Sequence, residues 1–148
     1  GTFAVLEPRD FAIAYRSVLR ADGGSIEGVF TAAWFRFPHG DSTRARERIK
    51  ELLAKRTATQ PLNLPNAGSV FRNPEGDHAA RLIEACGLKG HAIGGASVSE
   101  KHANFIVNPS GKARASDIEA LISHVRKVVA EKTGVTLEPE VRIIGVAA

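Results

Sequence analysis

The sequence has no methionine, one cysteine, one tryptophan and one tyrosine, and no long apolar run. Each absence excludes something. The longest uninterrupted apolar stretches, such as Ala32-Ala33-Trp34-Phe35, fall far short of the roughly 20 residues that a membrane-spanning helix needs. No charged-then-apolar signal segment opens the chain, so a cytoplasmic protein with no membrane partner is expected. Cys86 cannot form an intrachain disulfide and has no Cys or His neighbour at ligand spacing, which removes a disulfide framework and a zinc ribbon. His39, His78, His91, His102 and His124 lack the spacing of a metal site, so no metal is expected. There is also no G-x-G-x-x-G after a strand, no Walker loop and no H-E-x-x-H. A chain that opens Gly1-Thr2 without an initiator Met fits an internal piece of a longer protein, although Met removal gives the same beginning.

What is present describes a soluble chain with a core. The 148 residues are 43% hydrophobic and 24% charged, enough for one domain of ordinary size without disulfide or metal staples. Twenty Lys and Arg against 16 Asp and Glu leave a net charge of +4, which suits an anionic partner without choosing among nucleic acid, nucleotide and phosphorylated metabolite. Arg44, Arg46, Arg48, Lys50, Lys55 and Arg56 lie close together, but Glu47 and Glu51 interrupt them and no aromatic residue is interleaved. That pattern is the solvated face of a helix, and no nucleic-acid partner is expected.

Periodicity gives the elements. Val29, Thr31, Ala33, Phe35 and Phe37 alternate with Phe30, Ala32, Trp34 and Arg36, which predicts a mostly buried strand from Gly28 to Phe37. Asp41 or Ser42 caps a helix carrying Ala45, Ile49, Leu52 and Leu53 at helical spacing and ending near Thr57. Gln60 to Gly68 holds two prolines and a glycine, so it reads as an extended connector between two structural units rather than helix or central strand. A second helix is expected from a cap at Asp77 to a left-handed stop at Gly87. A third opens with the capping-box spacing Ser116-Asp117-Ile118-Glu119, carries the stripe Ile118, Leu121, Ile122, Val125, Val128 and Val129, and closes at Gly134. Ala103 to Asn108 reads as a short strand, and Leu137 to Val146 as another whose Pro139 suggests an edge. Strands and helices mix without strict βαβ alternation, so the fold class is α+β.

Polar chemistry concentrates in irregular backbone. In Ala67-Gly68-Ser69-Val70-Phe71-Arg72-Asn73-Pro74 a glycine lets the backbone approach a ligand and Ser69 can exchange a proton there, although a plain turn serine looks the same locally. The pair Gly94-Gly95 serves either tight packing or a phosphate. Glu138 and Glu140 stand two apart with Arg142 next on that face of the expected strand, either a solvated edge or a carboxylate beside a guanidinium for an acidic substrate. His102 reads as a hydrogen-bonded structural residue rather than a catalyst.

Three blocks carry a resemblance. Asn66 to Pro74 (NAGSVFRNP), Gly94 to Asn108 (GGASVSEKHANFIVN) and Leu137 to Gly145 (LEPEVRIIG) are similar, in order, to the C-terminal half of the UDP-N-acetylenolpyruvoylglucosamine reductase (MurB) family, the second block resembling its type II branch. Ala14-Tyr15-Arg16-Ser17 resembles the family's Tyr-Arg-x-Ser segment with one residue missing between Arg16 and Ser17. The resemblance implies residues 1–58 as the tail of an FAD-binding (PCMH-type) α+β domain and residues 59–148 as the substrate-binding domain. It implies an NADPH-dependent flavin oxidoreductase acting on a CH-CH bond, with FAD as carrier and UDP-N-acetylglucosamine enolpyruvate as substrate, in peptidoglycan precursor synthesis. By the family pattern Ser69 is the proton donor, and Arg16 and Glu140 stabilise the enolate or orient the carboxylate. Glu140 donates to an enolate only when protonated, which burial favours. Asn73 matches an amide that contacts the sugar nucleotide, and Arg142, Arg56 and Gln60 are candidates for its diphosphate or carboxylate. The family's flavin-binding segments lie mainly before its Tyr-Arg motif, so this chain alone is expected to lack most of the FAD site and to need a missing N-terminal flavin-binding segment. The alternative is a non-catalytic UDP-sugar-binding or interaction module of the same fold.

Overall fold

A computed structural model describes residues 2–145. The chain forms two compact units, Gly1–Gly40 and Asp41–Ala148, and each is described by itself. In the first, a short 3-10 turn at Pro8–Asp10 leads into an antiparallel hairpin of β1 (Phe11–Ala14) and β2 (Ser17–Arg20). Tyr15 and Arg16 form its two-residue loop, in register with Ala14 opposite Ser17, and Arg16 adopts a left-handed φ of 56°. Two-residue loops require positive φ somewhere, and here a non-glycine residue supplies it.

The buried strand expected from Gly28 to Phe37 does not form. These residues carry no regular structure, and Trp34 is 84% exposed. Alternation records what a segment is able to bury, whereas a strand also needs a neighbour to pair its N–H and C=O groups. Among the described residues none pairs with this one. Its aromatic rings contact one another sparsely, with Phe30 5.8 Å from Phe11 and Phe35 6.2 Å from Phe37.

The second unit begins with α1 (Ser42–Thr59), whose cap Asp41 accepts hydrogen bonds from the Thr43 and Arg44 amides at 2.8 and 3.2 Å, as its sequence predicts. A four-stranded antiparallel sheet follows, in the order β3 (Asn66–Ser69), β6 (Phe105–Val107), β5 (Ala96–Val98), β4 (Ala92–Ile93). The last residues of the expected connector thus form an edge strand. α2 (Ala79–Ala85) and α3 (Ala115–Thr133) complete the α+β fold.

The core lies between the sheet and these two helices. Leu121, Ile122, Val125 and Val129 of α3 are buried against Leu82 and Ile83 of α2 and against Val98 and Ile106 of the sheet. Each buried aliphatic side chain contributes roughly 1.5–3 kcal/mol, so this stripe dominates the unit's stability. Gly134 stops α3 at φ 75° and Gly87 follows α2 at φ 74°, both as expected. Among the described residues no helix is long and apolar enough to cross a membrane.

Both helix starts differ from the sequence expectation. α3 is capped at Arg114, with Asp117 rather than Glu119 reaching back: its carboxylate accepts the Arg114 amide at 3.0 Å and the Gly95 amide at 3.3 Å. These bonds hold the Asp117 carboxyl below its ordinary pKa, the Arg114 amide contributing most. The bond to Gly95 is tertiary, which a local pattern does not contain. α2 starts after His78 because the Asp77 carboxylate turns to the Arg81 guanidinium and the His78 amide, lowering its pKa to about 2. The Ala79 amide is taken instead by Asn73 Oδ1, at 3.1 Å and six residues upstream.

Gly94-Gly95 is a packing pair and not a phosphate cradle. It turns the β4–β5 hairpin directly beneath the start of α3, where a Cβ on Gly95 would stand 2.7 Å from the Ala113 nitrogen and one on Gly94 2.3 Å from the Asp117 carboxyl carbon. Gly95→Ala should therefore destabilise the chain by about 1–3 kcal/mol, the usual cost of overpacking against backbone. A urea midpoint equal to wild type would show that this junction yields.

Candidate functional site

Ser69 is set by its strand. Asn66 lies opposite Val107 and Ser69 opposite Phe105, so β3 spends one more residue than β6 over the same span, a bulge. Gly68 takes φ 84° within it, and its N–H donates to Asn66 Oδ1 at 2.9 Å. No atom lies within 4 Å of a Cβ placed on Gly68, so the backbone conformation and not space calls for glycine. A bulge re-aims the side chain that follows it, here the half-buried Ser69.

The residues after Ser69 are clamped from two sides. On one side the Asn104 backbone oxygen accepts the Val70 amide at 2.9 Å. The Asn104 side chain then imitates a strand: Oδ1 accepts the Phe71 N–H at 2.9 Å and Nδ2 donates to the Phe71 carbonyl at 2.8 Å. Asn104 is buried, so both bonds are shielded from water. On the other side the Glu140 amide donates to the Val70 oxygen at 2.7 Å, and the Arg72 amide donates to the Glu138 oxygen at 2.9 Å. The candidate proton donor Ser69 and the candidate Glu140 thus stand one residue apart across a backbone ladder.

That ladder is shorter than the expected strand from Leu137 to Val146. A single bridge, Phe71 to Pro139, is all that forms over the described part, and Val146 lies outside the described residues. Pro139 has no N–H to extend the ladder. Just before it, Leu137 is buried and its carbonyl accepts from Arg126 Nε at 2.9 Å, which pins the segment to α3. The Glu138 carboxylate faces Arg72 at 3.6 Å in an exposed ion pair worth about 0–1 kcal/mol, while Glu140 is half-buried.

Arg142, with Glu119 of α3, stands at a cavity of about 390 Å³ whose other walls include Ala67, Val70, Val107 and Ile118. Arg56 and Gln60 meet at the end of α1, where Arg56 Nε donates to Gln60 Oε1 at 3.2 Å. Asn73 holds the first turn of α2 through its Oδ1. Arg16 belongs to the first unit, at the hairpin loop, where its guanidinium carbon lies 5.6 Å from the centre of the Tyr15 ring. Among the described residues no group of three or more His, Cys, Asp or Glu side chains could hold a metal.

Sequence reasoning passed over Asn104 within the strand-like run Ala103 to Asn108. The available signal was an amide in an otherwise apolar run, since a buried Asn persists only where its donors and acceptors are met. The preceding loop is equally knit. Ser99 Oγ accepts the Lys101 and His102 amides at 3.2 and 3.3 Å, and His102 Nδ1 accepts the Asn104 amide at 3.3 Å. Burial lowers the His102 pKa below 6.5, and the acceptor role also requires the neutral ring.

Two outcomes follow for this loop. Asn104→Ala orphans the buried Phe71 N–H and C=O, at about 1–3 kcal/mol for each group, so a urea titration should show a loss of at least about 2 kcal/mol. Because the folded pKa of His102 is depressed, the stability it contributes is complete above 6.5 and is lost as pH falls from there toward the folded value. The decline in urea midpoint on acidification should therefore be steeper in wild type than in His102→Gln, and parallel curves would remove His102 from the titration.

The chain resembles known proteins throughout its second unit. Residues 60–144 match the family model described as UDP-N-acetylenolpyruvoylglucosamine reductase, C-terminal domain. The UDP-N-acetylenolpyruvoylglucosamine reductase of Thiobacillus denitrificans is 60% identical over 138 residues, covering 93% of this chain and 42% of the relative. That of Nitrosospira multiformis is 65% identical over 127 residues, covering 86% and 36%. The crystal structure of UDP-N-acetylenolpyruvylglucosamine reductase (MurB) from Thermus caldophilus superposes with a TM-score of 0.54 at 38% identity, over 66% of this chain and 34% of that one. The chain spans less than half the length of these curated relatives. With a family model covering more than half its residues, the chain belongs to the UDP-N-acetylenolpyruvoylglucosamine reductase family.

Proposed function

We propose that this chain supplies the substrate-binding and proton-transfer side of an NADPH- and FAD-dependent reduction, in which the enolpyruvyl ether of UDP-N-acetylglucosamine enolpyruvate becomes a lactyl ether in peptidoglycan precursor synthesis. Residues 59–148 form the substrate-binding domain in this reading, and 1–58 the tail of the flavin-binding one. The relatives bear the name of that reductase over their whole length, of which this chain is a part.

The flavin pyrophosphate does not fit at Gly94-Gly95. The Gly94-Gly95 pair, the glycine motif nearest in type to a pyrophosphate loop, is filled by Ala113 and faces the Asp117 carboxylate, which would repel a phosphate. This pair therefore offers no site for the FAD pyrophosphate.

What supports the proton-transfer reading is the ladder that sets Ser69 beside Glu140. Saturating an enolpyruvyl double bond takes a hydride at the terminal carbon and a proton at its neighbour, where negative charge gathers beside a carboxylate. Ser69 Oγ–H supplies the proton: its O–H bond breaks as the C–H bond forms, and solvent restores the hydroxyl. Arg16 and Glu140 stabilise or orient the enolate and its carboxylate. Asn73, Arg142, Arg56 and Gln60 bind the sugar nucleotide, the guanidiniums gripping its phosphates with paired hydrogen bonds.

Calorimetric titration of the purified chain with UDP-N-acetylglucosamine enolpyruvate should give saturable binding, and the protein should show no flavin absorbance. Arg142→Ala should weaken that binding about tenfold or more, as expected for a lost charge-assisted contact. In the full-length reductase, Ser69→Ala should lower kcat by about 10²–10⁴-fold at nearly unchanged KM. Binding that survives with unaltered kcat in Ser69→Ala would leave a sugar-nucleotide-binding module and refute the proton donor, and a chain carrying bound flavin would refute the cofactor assignment.

A further inference from the structure

The geometry points to Lys101 as a positioning residue that sets the Arg56–Gln60 pair against the Ser69 strand, an inference that rests on the UDP-sugar reading of the site. Packing does not fix the end of α1. The helix has no buried residue, and its apolar positions Ile49, Leu52 and Leu53 are 55%, 50% and 57% exposed. Lys101 Nζ reaches its last turn from a position 44 residues later in the chain and donates to the Thr57 carbonyl oxygen at 2.8 Å. Carbonyls in a last helical turn lack intrahelical donors and form the negative end of the helix dipole, so an ammonium there is favoured twice.

The same turn holds both candidate ligands of the sugar nucleotide. The Gln60 amide donates to the Arg56 oxygen at 2.9 Å, and Arg56 Nε donates to Gln60 Oε1 at 3.2 Å, so holding Thr57 holds both side chains at their roots. The other end of the tether is equally firm. Lys101 leaves the loop in which Ser99 Oγ accepts its amide, three residues before the Asn104 that clamps Phe71 beside Ser69. A continuous set of hydrogen bonds and short chain segments thus runs from Ser69 through Phe71, Asn104 and Lys101 to Arg56 and Gln60. Along this path Lys101, Glu100, Ser99, Pro61, Asn63 and Leu64 border a cavity of about 500 Å³. Because its ammonium donates to a backbone carbonyl, Lys101 acts on a ligand through α1.

The test compares wild type, Lys101→Ala, Lys101→Arg, Arg56→Ala and the Lys101→Ala/Arg56→Ala double variant. Two readouts are used: calorimetric binding of UDP-N-acetylglucosamine enolpyruvate, and amide hydrogen exchange at Gln60. Lys101→Ala should accelerate Gln60 exchange and weaken binding about three- to tenfold. Its effect on binding should be smaller in the Arg56→Ala background, where only Gln60 is left to hold, and Lys101→Arg should restore both readouts. Additive losses in the double variant would mean direct ligand contact and overturn the positioning role. So would a Lys101→Ala chain that binds like wild type while Arg56→Ala does not. If wild type fails to bind the UDP-sugar, the functional reading falls instead, and the exchange experiment still decides the tether: unchanged Gln60 exchange in Lys101→Ala overturns it.

Discussion

The arrangement around Ser69 depends on two hydrogen bonds made by one buried amide. Asn104 presents an acceptor and a donor to the two backbone groups of Phe71, doing for that residue what a neighbouring strand would do. The clamp follows directly on the bulge at Gly68, where β3 and β6 shift by one residue. The side-chain amide restores pairing immediately after the irregularity. The bulge that aims Ser69 is therefore compatible with a buried Phe71, 2% exposed at the centre of the core. Without the clamp, the Phe71 polar groups would be buried unpaired, and the chain would gain by straightening the bulge or withdrawing Phe71.

The core behind this clamp is ordinary and the edge in front of it is not. α3 packs its aliphatic stripe on the sheet and, through Arg126, holds Leu137 by its carbonyl. The segment from Glu138 to Val141 then needs only its few bonds to Val70 and Arg72 to lie beside Ser69. Rigidity thus reaches Ser69 and Glu140 from helix α3 on one side and from the loop before β6 on the other. Ser69 closes β3 and Glu140 follows the Phe71–Pro139 bridge, both half-buried on a firmly anchored backbone.

The sequence revealed some of this directly. α3 was legible because a 3.6-residue stripe of Ile, Leu and Val over nineteen residues has few other outcomes, and because Gly134 marks its end. Helix starts were misplaced by one to two residues for a shared reason. α2 has its Ala79 amide capped by Asn73 six residues upstream, and the Asp117 that caps α3 at Arg114 is also held by a tertiary bond from Gly95. The segment from Gly28 to Phe37 failed differently. Its alternation is real, but a strand is a property of a pair, and one sequence shows only one member. Ser69 and Glu140 stood out locally only as one of two readings each, and the family's motifs gave them and Asn73 their roles. A serine after a glycine says nothing by itself of a glutamate 71 positions later, and it took the fold to bring Val70 against Glu140.

Helix α1 shows the same gap between local signal and tertiary placement. Its sequence meets every local requirement, with an Asp41 cap, good helix formers and an apolar face, yet in the second unit that face stays exposed. Local signals therefore suffice to form the helix but not to locate it, since location comes from packing or from specific bonds. For α1 the bond from Lys101 to Thr57 supplies a fixed point at the C-terminal end, and the connector from Pro61 to Asn66 supplies another. In that connector Asn66 Nδ2 donates to the Pro61 and Leu64 carbonyls at 3.1 and 2.7 Å, which stiffens a stretch without regular structure. Gln60 sits between these two fixed points, and Arg56 directly precedes the first. A guanidinium held at its root can meet an anion without first paying the entropy of ordering α1.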